Sequence, residues 1–180
     1  MICYCQEVGG GNLMLRSGGK TTYNPETDPS YLHRELADSI TIDSMAIHKE
    51  DRLLFAFCHG QLLKMYRIHL GLQPVGAKQS YGDYKTPEGR YYINARNTMS
   101  SYHKSLGISC PNENDLLEAK KQGKPPGGDI VLHGLPNGAE ELGKNHYRND
   151  WTWGCIALTN SEIDELFQHV NLGTPILVLP

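Results

Sequence analysis

The chain has no apolar run approaching the roughly 20 residues a helix needs to cross a bilayer. Its 17 Lys and Arg stand against 20 Asp and Glu without forming a basic cluster. The first absence excludes a membrane-spanning helix. The second excludes field-driven binding of nucleic acid or of an anionic membrane surface. With a net charge of -3 and a pI near 6.2, recognition has to be local. The N-terminus, Met1-Ile2-Cys3-Tyr4-Cys5-Gln6-Glu7, lacks the basic and apolar regions of a secretory leader, so no signal peptide is expected. There is no internal repeat and no low-complexity segment. Five cysteines, Cys3, Cys5, Cys58, Cys110 and Cys155, are an odd number at irregular spacing, which excludes a disulfide framework that pairs every thiol. Cys3-Tyr4-Cys5 is too short for a zinc knuckle and has no second ligand pair nearby. No metal and no cofactor is expected.

What is present is enough for one hydrophobic core at 180 residues. Residues 1–38, broken by Gly9-Gly10-Gly11 and Gly18-Gly19, are expected to be an irregular N-terminal segment, with the domain proper over 39–180. Residues 40–43 with 45–47, then 52–57, then 62–70 are β-rich runs between polar breaks, with His59-Gly60 as a hairpin turn. Cys58 and His59 are adjacent on a strand, so their side chains are expected to point apart. Further strands are expected at 90–93, at 129–134 and at 174–179, and a short helix at 113–122. Residues 135–151 read as a long loop with a helical turn, in which His146 is expected to be exposed. Thr159-Asn160-Ser161-Glu162 fits a capping box, and Ile163, Leu166, Phe167 and Val170 follow at helical spacing. The fold class is mainly β with α, a β-rich α+β arrangement of a sandwich or mixed sheet with a capping helix.

The residues that carry chemistry are Trp153-Gly154-Cys155 and Leu132-His133-Gly134. A thiol of ordinary pKa, about 8.5, is only about 3% thiolate at pH 7, so it needs help. An imidazole at a strand end supplies that help by taking the thiol proton or by pairing with the thiolate. Gly154 allows a tight turn that brings a substrate carbonyl close to main-chain N–H groups, the makings of an oxyanion hole. Taken singly, Cys155 is as readily a small buried hydrophobe before Ile156-Ala157-Leu158, and His133 a satisfied histidine at a sheet edge.

The ordered set of motifs goes further. Lys85-Thr86-Pro87-Glu88-Gly89 precedes Tyr91-Tyr92-Ile93. Tyr102-His103-Lys104-Ser105-Leu106-Gly107-Ile108, Pro111-Asn112 and Gly127-Gly128-Asp129-Ile130-Val131-Leu132-His133-Gly134 follow. Thr152-Trp153-Gly154-Cys155-Ile156-Ala157-Leu158-Thr159 closes the set. Over residues 40–180 this resembles the YkuD-type L,D-transpeptidase catalytic domain family, in a branch with Thr-Trp-Gly-Cys in place of Ser-His-Gly-Cys. Trp153 stands where the commoner pattern has histidine and Ala157 where it has arginine, which removes that cation from beside the thiol.

The resemblance implies that Cys155 is the nucleophile, His133 its general base, and Gly134 part of the backbone that orients the imidazole. Thr152, Trp153, Gly154, Tyr102 and His103 become candidates for substrate contact. Tyr102 is equally a core residue, His103 equally a solvated one, and Trp151 is expected simply to pack. The implied partner is a peptidoglycan stem peptide, placing the chain's work in the periplasm or cell envelope. The implied reaction forms a thioester at diaminopimelate with D-alanine leaving, then a 3-3 cross-link or an exchange. Hydrolysis of the same stem, or of a protein attached to it, is the alternative. A peptidoglycan-binding module without catalysis, or a zinc site on Cys155, His133 and His146, is weaker. Oligomeric state is not legible.

Overall fold

The structure is a computed structural model that describes residues 30–180, apart from the side chains of 144 and 146–148. The expectations for the glycine-rich segment, for Cys3 and Cys5, and for the exposure of His146 lie outside the described residues. Where irregular chain is expected before residue 39, one helical turn occurs, α1 (Ser30–His33). Its Tyr31 and Leu32 pack on Ala46, Leu53, Phe55, Phe57 and Met65.

Three antiparallel strands follow, β1 (Ser44–His48), β2 (Leu53–Cys58) and β3 (Gln61–Arg67). All of β2 is buried because both of its faces are covered. Leu54, Ala56 and Cys58 enter the main core, while Leu53, Phe55 and Phe57 enter the smaller cluster under α1. That is the strand period of two read in burial. The β2–β3 turn has positive φ at both His59 (49°) and Gly60 (75°), the conformation whose twist suits a two-residue hairpin. This left-handed His59 corrects one expectation. Its ring turns back toward Asp43, 3.8 Å from Nδ1 to Oδ2, and the donor atoms of Asp43, Cys58 and His59 lie within 4.8 Å of one another.

Among the described residues eight strands form one sheet, in the order β3-β2-β1, then β8 (Pro175–Leu179), β4 (Gly89–Ser100), β5 (His103–Ile108), β6 (Val131–His133) and β7 (Ile156–Ala157). β8 lies parallel to β1 and antiparallel to the first residues of β4. The rest of β4 pairs with β5 through two register shifts. β4 thus hands the sheet from one half to the other. It runs past the expected 90–93: residues 94–99 are exposed, mostly polar and held by backbone pairing to β5, which leaves no apolar alternation to read.

β6 is antiparallel to β5 and parallel to β7. Two helices have full capping boxes: α2 (Glu113–Lys121) on Asn112 and Asp115, and α3 (Asn160–His169) on Thr159 and Glu162. α3 buries Ile163 and Leu166 in the main core. The loop over the sheet contains a 3-10 helix (Glu140–Arg148) broken at Gly143. No helix among the described residues is long and apolar enough to cross a membrane.

Candidate active site

Parallel pairing sets Leu132 opposite Ile156 and His133 opposite Ala157. Cys155 lies two residues before Ala157, so by strand alternation its side chain and that of His133 share one face. Both open into a cleft of about 470 Å³ that is also lined by Tyr102, Trp151, Trp153 and Lys78.

The turn that presents Cys155 is built around a missing side chain. Gly154 has φ of 126°, and a Cβ there would sit 2.6 Å from the Lys85 carbonyl oxygen. Backbone conformation and space both therefore require glycine. The buried Thr152 braces the turn, its hydroxyl donating to the Cys155 carbonyl at 2.7 Å and accepting from the Gly154 N–H at 3.1 Å. That Gly154 donor is spent inside the turn and is not free for an oxyanion.

Residues 69–72 clamp the same turn. His69 and Ala157 exchange backbone hydrogen bonds, Thr152 donates to the Leu70 carbonyl, and Leu72 donates to the Thr152 carbonyl. Asp150 anchors the preceding residue pair, accepting from the Leu70 N–H at 2.9 Å and pairing with Arg52 at 2.7 Å. Burial alone would raise its carboxyl pKa, but hydrogen bonds from His69, Arg52 and Leu70 outweigh it and hold the group well below the usual range.

His133 is 3% exposed, and its Nδ1 lies 2.7 Å from the Gly134 carbonyl oxygen. A carbonyl only accepts, so Nδ1 carries the proton and Nε2 keeps its lone pair. Burial lowers the imidazole pKa, and the Gly134 bond offsets part of that. Burial raises the Cys155 thiol, partly offset by the Val131 N–H and the charge of Lys78. Both shifts favour the neutral forms, a thiol and a neutral imidazole lining one cleft, over a standing thiolate and imidazolium. The thiol donates to the Asp129 carbonyl at 3.7 Å.

The family model for the YkuD L,D-transpeptidase catalytic domain matches residues 39–178. The chain belongs to this family. It is 33% identical over 131 residues to YafK of Escherichia coli (strain K12), covering 69% of this chain and 45% of that protein. Among solved structures, the helical cell shape determining protein Pgp2 from Campylobacter jejuni superposes with a TM-score of 0.58 at 27% identity, covering 77% of this chain and 48% of that one. Bd1075 from Bdellovibrio bacteriovorus gives 0.52 at 25% identity over 79% and 49%. The L,D-transpeptidase from Mycobacterium smegmatis gives 0.52 at 14% over 76% and 58%, a likeness of fold. The chain spans about half the length of YafK, Pgp2 and Bd1075.

Within this YkuD domain the structure sorts the candidates. Cys155, His133, Tyr102, Thr152 and Trp153 line the cleft. Gly134 and Gly154 act through backbone: a Cβ on Gly134 would meet Asn160 Oδ1 at 2.6 Å, and its N–H donates to the Tyr102 carbonyl. Tyr102 lies against the His133 ring, centroids 4.6 Å apart and planes tilted by 48°, and Trp153 is exposed with its edge to Tyr84.

His103 departs from expectation. Its φ of 63° turns the side chain toward α3, where Nε2 meets Asp164 at 2.8 Å, and it is not among the cleft residues. Trp151 does more than pack, meeting the His133 ring edge-on at 5.6 Å inside the cleft. The missing cation is also corrected: Lys78, from a segment that reads as a plain loop, lines the cleft and acts on the thiol. A lysine and an aspartate five residues apart among glycines and tyrosines were the only signal of it.

Proposed function

We propose that this chain is a cysteine acyltransferase acting on peptidoglycan stem peptides in the cell envelope. The observation that carries the reading is the pairing of β6 and β7, which sets Cys155 and His133 on one face of one cleft with the Nε2 lone pair of His133 uncommitted. Membership of the L,D-transpeptidase catalytic family supplies the substrate class.

In this reading the Cys155 thiol turns from the Asp129 carbonyl and gives its proton to Nε2 of His133. Sγ attacks the carbonyl at the L-centre of diaminopimelate, and the bond to D-alanine breaks as Nε2–H protonates the leaving amine. The product is a thioester on Cys155 with a neutral imidazole. An acceptor amine from a second stem then loses a proton to Nε2 and attacks the thioester, restoring the thiol. Gly134 holds the imidazole tautomer, while Tyr102 and Trp151 fix the plane of its ring. Trp153 forms an outer wall for the donor.

The test is mass analysis of purified muropeptides after incubation with the protein and with Cys155→Ala. A thioester adduct on Cys155 with D-alanine release is expected, and both are expected to vanish in the variant while its circular dichroism is unchanged. Turnover that survives in Cys155→Ala would overturn the reading. The same products show whether the acceptor is an amine, giving dimers, or water, giving trimmed stems or cleaved cross-links.

A further inference from the structure

We propose that Lys78 is a carboxylate subsite of the cleft, holding an anionic group of the stem peptide beside the carbonyl that Cys155 attacks. This rests on the acyl-transfer reading above and names a group that selects the substrate.

Lys78 is 9% exposed and nonetheless lines the cleft. Its stem crosses Gly127 so closely that a Cβ there would lie 2.2 Å from Cε and 3.0 Å from Cδ. The chain then continues through Asp129, whose carbonyl receives the Cys155 thiol, into β6 and His133. Along this segment the Lys78 stem packs on Gly127, the Cys155 thiol meets the Asp129 carbonyl, and His133 follows, all three side chains lining one cleft. The charge of Lys78 is felt at the thiol.

Asp83 fixes the ammonium, with Nζ to Oδ1 at 2.7 Å. Asp83 is itself pinned, since its oxygens accept from the backbone N–H groups of Gln79 at 2.7 Å, Ser80 at 3.0 Å and Lys85 at 3.1 Å. An ammonium has three donors, and this contact uses one. A buried ion pair is a weak source of stability, because desolvation offsets its attraction. A preorganised cation at a cleft wall with donors to spare is suited to a charge-assisted bond to a carboxylate. A stem peptide offers two near the scissile carbonyl: the terminal carboxylate of the leaving D-residue and the side-chain carboxylate of diaminopimelate.

The experiment measures binding to Cys155→Ala by calorimetry for three tetrapeptide stems: both carboxylates free, the terminal one amidated, or the diaminopimelate one amidated. The titrations are repeated in Cys155→Ala/Lys78→Met and Cys155→Ala/Lys78→Arg. One amidation is expected to weaken binding at least about tenfold in Cys155→Ala and less than about twofold with Lys78→Met, with Lys78→Arg restoring the preference. The sensitive position identifies the carboxylate.

An equal amidation penalty with and without Lys78, or no penalty in Cys155→Ala, would overturn the proposal. Should Lys78→Met fail to fold, ζ-nitrogen NMR of Cys155→Ala decides instead: the Lys78 ammonium signal is expected to shift with the free stem and not with the sensitive amide. No turnover enters these readouts. Failure of the acyl-transfer reading would show separately, as intact binding with no thioester on the unmutated protein.

Discussion

Nδ1 of His133 donates to the carbonyl of Gly134, its own neighbour, at 2.7 Å. The bond needs no third residue to set the tautomer, and it leaves the lone pair on Nε2. The residue that supplies the carbonyl is crowded: a Cβ on Gly134 would meet Asn160 Oδ1 at 2.6 Å, with His103 and Ile163 close behind it.

His133→Gln keeps a polar side chain but has no titratable base. Acylation of Cys155 by a stem peptide is expected to fall by about 10²–10⁴-fold, with the Kd of Cys155→Ala/His133→Gln for the same peptide changed little. Rapid-quench mass spectrometry of the thioester checks the first and calorimetry the second.

The pH profile follows from the two shifts. Burial holds the His133 imidazole below its ordinary range and the Cys155 thiol above its own, so both groups are neutral at neutral pH. The acid limb of kcat/KM is expected below pH 6.5. Thiolate absorbance, measured as the difference between the protein and Cys155→Ala, is expected to emerge only at more alkaline pH than for a free cysteine. A thiolate signal at neutral pH would instead indicate an ion pair.

Gly154→Ala forces a non-glycine residue to φ of 126° and places its methyl 2.6 Å from the Lys85 carbonyl oxygen. Backbone strain of this kind costs about 1–3 kcal/mol before the clash is counted. A lower midpoint in urea and a loss of Cys155 acylation are expected together.

Thr152→Val removes a hydroxyl that makes two hydrogen bonds inside the turn that presents Cys155. Leaving the buried Gly154 N–H and Cys155 carbonyl without it is expected to cost about 1–3 kcal/mol. Thiol alkylation kinetics are expected to change as the turn loosens, and the two measurements report the same cause.

Asp150→Asn tests the clamp behind the site. The Asp150 pKa is lower folded than unfolded, so its contribution to stability is present above about 3.9, the unfolded value, and is lost as pH falls through the folded value. The variant is expected to be less stable than the parent at pH 7, and the gap to narrow below pH 4. Denaturant midpoints across that range check it.

Several elements were legible because local chemistry alone dictates them. The capping box at Thr159 and Glu162 marks where α3 begins, and Ile163, Leu166 and Val170 mark the face it buries. His59-Gly60 makes a hairpin because both residues tolerate positive φ. The long β4 was not legible past Ile93, since its second half is exposed, mostly polar and held by backbone bonds to β5. Trp151 reads as packing until the fold sets its edge on His133, and His103 reads as facing substrate until its left-handed backbone turns it to Asp164.

By itself, the sequence determined the residue types available for chemistry, a thiol after glycine and an imidazole before one, and the family whose ordered motifs they complete. Tertiary structure decided which groups meet. The parallel register of β6 with β7 places Cys155 and His133 on one face, and the passage of Lys78 across Gly127 brings a cation from a distant loop to the same cleft. The reason is physical. Strand period, caps and turns act over a few neighbouring residues, whereas register and close backbone approach depend on segments far apart in the chain.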